Sequence, residues 1–226
     1  MDLEIVKYAV PFLLVGAKTT LLIALFGIGF GFPFGIAVGL GRGSKNRMLR
    51  NSCDTYCAIF RGTPMLVQIF VIYYGLAQVS FIRHNPVLWW MIGDGLHAAI
   101  LAVVLNTGAY TGEIFRTGFL SLPKGLIEAA EACGMSPWHV FTRVKFPLAL
   151  RQALPAYSSE AAIIVKESSL ASTITVLEVT GYAKRLMSET FAIMDIFIIT
   201  AALYLAMNVV ALTALKLLER RLLLVR

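Results

Sequence analysis

Apolar residues run along this chain in long blocks, and polar residues gather in short stretches between them. Five blocks stand out, roughly 13–40, 56–79, 96–120, 149–174 and 194–218. Each reaches the length of about 20 residues that a helix needs to cross a hydrocarbon core. The pattern predicts an all-α membrane protein with five transmembrane helices in one membrane domain over residues 1–226. The second and fourth blocks carry charges inside them. The connections are short, the longest being 121–148. The opening MDLEIVKYAV mixes charges and leads to no small-residue cleavage site, so the first block reads as a retained span, not a signal peptide.

Composition agrees with a lipid-embedded chain: 58% of the 226 residues are hydrophobic and 15% are charged, too apolar for a soluble domain of this length. The net charge of +7 raises nucleic acid as a partner, but the placement of the charges speaks against it. Arg42, Lys45, Arg47 and Arg50 follow the first block; Lys124, Arg143, Lys145 and Arg151 follow the third, with Arg116 at its edge; Lys216, Arg220, Arg221 and Arg226 lie in the tail. The other side has only Lys7, Lys18, Arg83, Lys184 and Arg185. Basic residues mark the cytoplasmic face, so the N-terminus is expected outside and the C-terminus in the cytoplasm. Trp89 and Trp90 then fall at the outer interface.

Little chemistry is visible. Cys53, Cys57 and Cys133 are expected to be small packing residues on or near the reducing side. His84, His97 and His139 are scattered, and no metal-ligand spacing, HExxH or GxSxG occurs. An intramembrane enzyme has no constellation to stand on.

The polar stretch EAAEACGMSPWHVFTRVKFP, 128–147, has a helix grammar of its own. Glu128–Cys133 favours helix. Gly134 suits a left-handed stop, Ser136 an N-cap and Pro137 the first helical position, and Pro147 is expected to end the second helix. Ile127, Ala130, Gly134, Trp138 and Phe141 could share a face. Spacing alone leaves two readings, an amphipathic loop on lipid headgroups or a docking element for a cytoplasmic protein.

Other features are structural in character. Arg61-Gly62-Thr63-Pro64 reads as a helix start at the cytoplasmic interface, Arg61 reaching headgroups or an acid. Gly27, Gly31, Gly35 and Gly39 form a small-residue stripe for close helix packing, with a partner chain as one candidate neighbour. VTGYAKRLMSET, 179–190, is too polar to span and reads as an external lateral helix.

Several stretches together carry a resemblance. Glu128-Ala129-Ala130, Gly134 and the apolar-Pro pair before the next block resemble the EAA loop of ABC-importer permeases. IFRGTPMLVQIFVIYYGL (59–76) and LNTGAYTGEIFRTG (105–118) resemble span signatures of the polar amino acid branch. VKESSLAS (165–172) is similar to its K-D-T-S-L element, with Glu167 and Ser168 in place of Asp and Thr. The likeness covers almost the whole chain and is nearest to histidine-type "M" and opine permeases.

That resemblance implies a type I importer permease in the bacterial inner membrane, a transport subunit and not an enzyme. It implies partners: two ABC ATPase subunits, a second permease (a copy of this chain or a sister), an external solute-binding protein, an amino acid substrate and surrounding lipid. No cofactor is expected in this chain, which lacks a G-x-x-x-x-G-K-[ST] phosphate loop; ATP and Mg belong to the partner ATPase. In this reading Glu128, Ala129, Ala130, Gly134, Ser136 and Pro137 form the coupling element.

Ionisable residues within a span point to a pathway. Asn106, Tyr110 and Glu113 share one face of the third block, and Tyr157 and Glu160 one face of the fourth. The two acids are candidates for an ammonium or cationic side chain, and Asn106, Tyr110 and Tyr157 for supporting contacts. Glu113 also stands three residues from Arg116, where it could pair. Lys166 and Glu167 are expected at an outer gate or subunit contact. The acids lean toward a cationic amino acid or opine; the alternatives are a glutamine- or glutamate-type substrate, or a secondary transporter, for which no internal repeat speaks.

Overall fold

The computed structural model describes residues 3–224, with side chains through residue 219 except residue 218. The side chains of Arg220 and Arg221, and all of Arg226, therefore lie outside the described residues, along with Met1 and Asp2. Every element among the described residues is helical.

Helix α1, Leu3–Arg42, has 40 residues and is about 60 Å long, twice the hydrocarbon thickness. Its apolar block is thus only part of a longer rod that begins ten residues earlier. It packs along α6, Gly95–Leu120. The glycine stripe lies in this contact. A Cβ on Gly31 would stand 2.6 Å from Thr107, one on Gly39 3.0 Å from the Gly112 carbonyl, and Gly27 and Gly35 abut Val103 and Thr111. Gly108 and Gly112 receive Phe34 and Val38 in return. The stripe faces this chain's own third block, not a partner, because α6 supplies small residues at the matching turns.

The second block departs most from expectation. Helix α2, Arg47–Gly62, is capped by Asn46 and buries only Cys57. Thr63 and Pro64 are extended, as a residue before proline must be. The chain then turns by 107° into α3, Met65–Phe70, which loosens to a π turn at Val71–Gly75 and a 3-10 turn at Leu76–Gln78. Block 56–79 is a broken element, not one straight span starting at Arg61. Two short helices, α4 (Ser80–His84) and α5 (Pro86–Ile92), lead to α6, where Asp94 caps the first turn through Leu96 and His97 N–H groups.

Beyond α6 come α7, Lys124–Ala132, and α8, Pro137–Val140. A π turn at Phe141–Lys145 joins α8 to α9, Phe146–Glu167. Pro147 sits in the first turn of α9 instead of ending a helix; a proline costs no hydrogen bond where the ladder is already widened. α9 tightens to 3-10 at Ser168–Ile174 and stops at Thr175, φ 70°. α10, Val179–Thr190, and α11, Ile193–Leu224, complete the chain.

Among the described residues, three helical segments are long and apolar enough to cross a membrane: α1, α6 and Ile193–Leu217 of α11; the bent pair of α2 and Met65–Gln78 makes a fourth if it is counted as one span. α9, the expected fourth span, falls short in apolarity because Arg151, Glu160, Lys166 and Glu167 lie along it.

Candidate functional site

The hairpin at 124–145 is built as its sequence suggests. α7 ends at Cys133, and Gly134 takes φ 78°. Its N–H bonds the Glu131 carbonyl, and that of Met135 the Ala130 carbonyl. This is the left-handed stop that glycine makes without strain. Ser136 caps α8 through the His139 N–H, with Pro137 in its first turn. Glu128 and Ala129 are exposed and Ala130 half-buried. Leu126 and Trp138 stand 50% and 69% exposed, so an apolar surface is displayed where a polar loop tip would normally be.

Behind the hairpin, α1, α2 and α6 are tied by ions. Glu113 Oε2 accepts from Arg42 and Arg61, each at 2.6 Å, and Oε1 from Arg116 at 3.3 Å. Arg42 also donates to Asp54 at 2.7 Å. Arg61 lies over the Tyr110 ring, 5.7 Å from its centroid, within cation–π range. The possible Glu113–Arg116 pair is thus present, but two arginines from other helices approach more closely. Arg42 was legible only as a topology charge, since nothing in its neighbourhood announces a partner 71 residues away.

Two turns along α6 from Glu113, Asn106 is buried and donates to Gln68 Oε1 at 2.9 Å. Gln68 in turn donates to the Phe60 and Thr63 carbonyls at 2.7 and 2.9 Å. The pair closes over the break at Gly62–Pro64, satisfying carbonyls that the bend frees. Gln68, an amide inside an apolar run, was the available signal for this staple.

In α9, Tyr157 and Glu160 are both buried. Tyr157 donates to the Ile28 carbonyl at 3.4 Å and packs on Phe32. Glu160 forms no salt bridge among the described residues, and its charged neighbours are Glu167 and Arg61. Lys166 is exposed and Glu167 half-buried one turn beyond Ile163. Asn106, Tyr110 and Glu113 therefore meet α2 and α3, while Tyr157 and Glu160 sit on α9; no single hydrogen-bonded cluster joins the two sets.

At the far end of the helices, sequence reasoning passed over Glu178. Its side chain is fully buried. It caps α10 by accepting from the Thr180 and Gly181 N–H groups at 3.0 and 2.8 Å, and accepts from Tyr204 at 2.5 Å and Thr20 at 3.3 Å. Gly16 makes room: a Cβ there would lie 2.8 Å from the Glu178 backbone. The polar face of α10 is exposed at Lys184 and Arg185. Arg185 bonds Glu189, which raises its pKa above the ordinary guanidinium value.

Residues 31–224 match the family described as binding-protein-dependent transport system inner membrane component. The nopaline transport permease NocM of Agrobacterium fabrum is 44% identical over 205 residues, 91% of this chain and 85% of that one. The histidine/lysine/arginine/ornithine permease HisM of Salmonella typhimurium is 35% identical over 206 residues, 91% and 88% of the two chains. Among solved structures, an amino acid ABC transporter crystallised with histidines superposes with a TM-score of 0.86 at 31% identity, covering 98% of this chain and 99% of that one. The MetNI methionine transporter shares the fold, with a TM-score of 0.70 at 19% identity over 98% and 99%. A long α1 laid on α6, a broken second span and a short-helix hairpin between α6 and α9 are thus features of a known class: this chain belongs to the family of inner membrane components of binding-protein-dependent transport systems, transport subunits whose ATPase is a separate chain.

Proposed function

We propose that this chain is the permease of an ATP-driven importer of amino acids or opines, with a cationic group on the substrate. The chain is one membrane domain with five crossings, α9 being the fourth, N-terminus outside and C-terminus in the cytoplasm. Two such permeases, identical or sister, stand on two ATPase subunits that hold ATP and Mg, and an external binding protein delivers the solute. The relatives named for nopaline and for histidine, lysine, arginine and ornithine support the substrate class.

The observation that carries this reading is the hairpin at 124–145. It displays Leu126 and Trp138 beside exposed Glu128 and Ala129, around a rigid left-handed turn at Gly134. Such a surface suits a groove on a partner ATPase, with Ala129 and Ala130 allowing close approach and Ser136 and Pro137 fixing the second helix. When ATP draws the ATPase pair together, the hairpin moves and α9 moves with it, because α8, the π turn and α9 are continuous. A loaded binding protein favours the same outward-open state, and each ligand shifts the balance only by its differential affinity for the two states.

Substrate passes Glu160, which forms no salt bridge among the described residues, with Tyr157, Asn106 and Tyr110 shaping its surroundings. Glu113 acts instead through Arg42, Arg61 and Arg116, as a cytoplasmic-end clamp whose pairs are remade between states. Lys166 and Glu167 stand at the outer gate. Proteoliposomes holding the chain with its co-purified subunits and binding protein test the reading. Labelled arginine should accumulate only with ATP on the ATPase side, and Trp138→Ala should lower ATPase co-purification. Uptake at an equal rate without ATP contradicts it.

A further inference from the structure

At the end of α9 remote from the hairpin, a cavity of about 290 Å3 opens between α9, α10 and α11. Lys166, Ser169, Thr180, Thr200 and Tyr204 supply its polar lining, with Phe197 among the apolar walls. We propose that this cavity is an anion subsite, taking the oxygens of a carboxylate or phosphate.

The argument rests on which donors are free. Tyr204 gives its proton to Glu178, and the Thr180 hydroxyl lies 3.0 Å from the Tyr204 oxygen, where it donates. Glu178 in turn is saturated by Tyr204, Thr20 and two backbone N–H groups. Those hydroxyls are therefore committed to holding α10 and α11 together. Three donors remain. Lys166 forms no salt bridge among the described residues. Ser169 lies one turn from it on the same side of the helix end. The Thr200 hydroxyl is buried, the residue being 7% exposed, and it has no hydrogen-bond partner. A buried polar atom without a partner is rare and calls for an occupant. An ammonium with hydroxyl donors selects an anion over a cation.

Size narrows the occupant. Whole small-molecule sites are about 300–1,000 Å3; at about 290 Å3 this cavity lies at the small end of that range, and its donors address one anionic end of a ligand. Two sources supply such an end: the carboxylate of an amino acid substrate, which rests on the importer reading above, and the phosphate of an anionic lipid, which does not.

The test uses the complete permease–ATPase complex in nanodiscs. Binding of labelled L-arginine is competed with L-arginine and with L-argininamide, which lacks the carboxylate. Bound phosphatidylglycerol is counted by native mass spectrometry against phosphatidylcholine discs. Variants are Lys166→Gln and Thr200→Val, with Lys166→Arg as a charge-preserving control. A substrate carboxylate in the cavity predicts that the acid outcompetes the amide by about tenfold, that both variants erase the preference, and that Lys166→Arg retains part of it. A lipid phosphate predicts no acid preference but one phosphatidylglycerol lost in both variants. The proposal is overturned if neither the acid preference nor the lipid count differs between the wild type and the folded variants. Failure of ATP-driven uptake in the wild-type complex would count against the importer reading alone, since the lipid count still reads the cavity.

Discussion

Glu113 on α6 and Glu160 on α9 have opposite surroundings. Glu113, at the hairpin end of α6, has both oxygens occupied by Arg42, Arg61 and Arg116. Glu160, in the middle of α9, is more deeply buried and has no salt bridge among the described residues. One acid joins three helices; the other is buried with Glu167 and Arg61 as its charged neighbours. An acid that repays its burial locally is accounted for by stability, whereas one that does not points to a ligand. Spacing along a helix cannot separate the cases, because the arginines come from 52 and 71 residues away.

Removing the charge at Glu113 is the harshest way to break the comparison. Glu113→Gln leaves Arg42, whose side chain is 10% exposed, Arg61 and Arg116 without their shared acid, with Asp54 as the remaining partner of Arg42, and should cost about 3 kcal/mol. The measurement is thermal unfolding of the purified complex followed by tryptophan fluorescence. Glu160→Gln should leave that transition within about 0.5 kcal/mol of wild type, since no ion partner is lost. A smaller effect is expected where α1 meets α6. Gly35→Val drives side-chain atoms into Thr111, and overpacking of this kind costs about 2 kcal/mol; the loss should appear as poorer yield of folded complex, with substrate selectivity unchanged. Asn106→Leu removes the donor to Gln68 and frees the staple over the α2–α3 break. It should cost about 1–2 kcal/mol and increase hydrogen exchange at Phe60–Thr63. Smallest is Ser136→Ala, about 1 kcal/mol for a lost cap, seen as faster exchange confined to α8.

What was legible follows the range of the physics. The helix–turn–helix at 124–145 rests on local rules: a left-handed glycine, an N-capping serine and a proline in the first turn all act within four residues. The apolar block lengths gave α1, α6 and α11 for the same reason. The break at Thr63–Pro64 was written in the proline, yet its 107° turn depends on Gln68 and Asn106, which meet only in the fold. Pro147 misled because proline stops a regular helix, and here the preceding π turn had already opened the ladder. The glycine stripe was correctly a packing surface, but its partner was invisible because Gly108, Thr111 and Gly112 lie in another block. Glu178 was missed since an acid before a polar helix looks like an ordinary cap; Thr20 and Tyr204 make it a buried joint between three helices.

The central claim is that Glu160 meets the cationic part of the substrate while Glu113 holds the bundle. The direct measurement is ATP-dependent uptake of labelled arginine by proteoliposomes carrying the wild-type complex or Glu160→Gln, each shown to be folded by its thermal transition. The account predicts at least a tenfold loss of uptake with an unchanged transition. Arginine uptake at the wild-type rate in Glu160→Gln would contradict it.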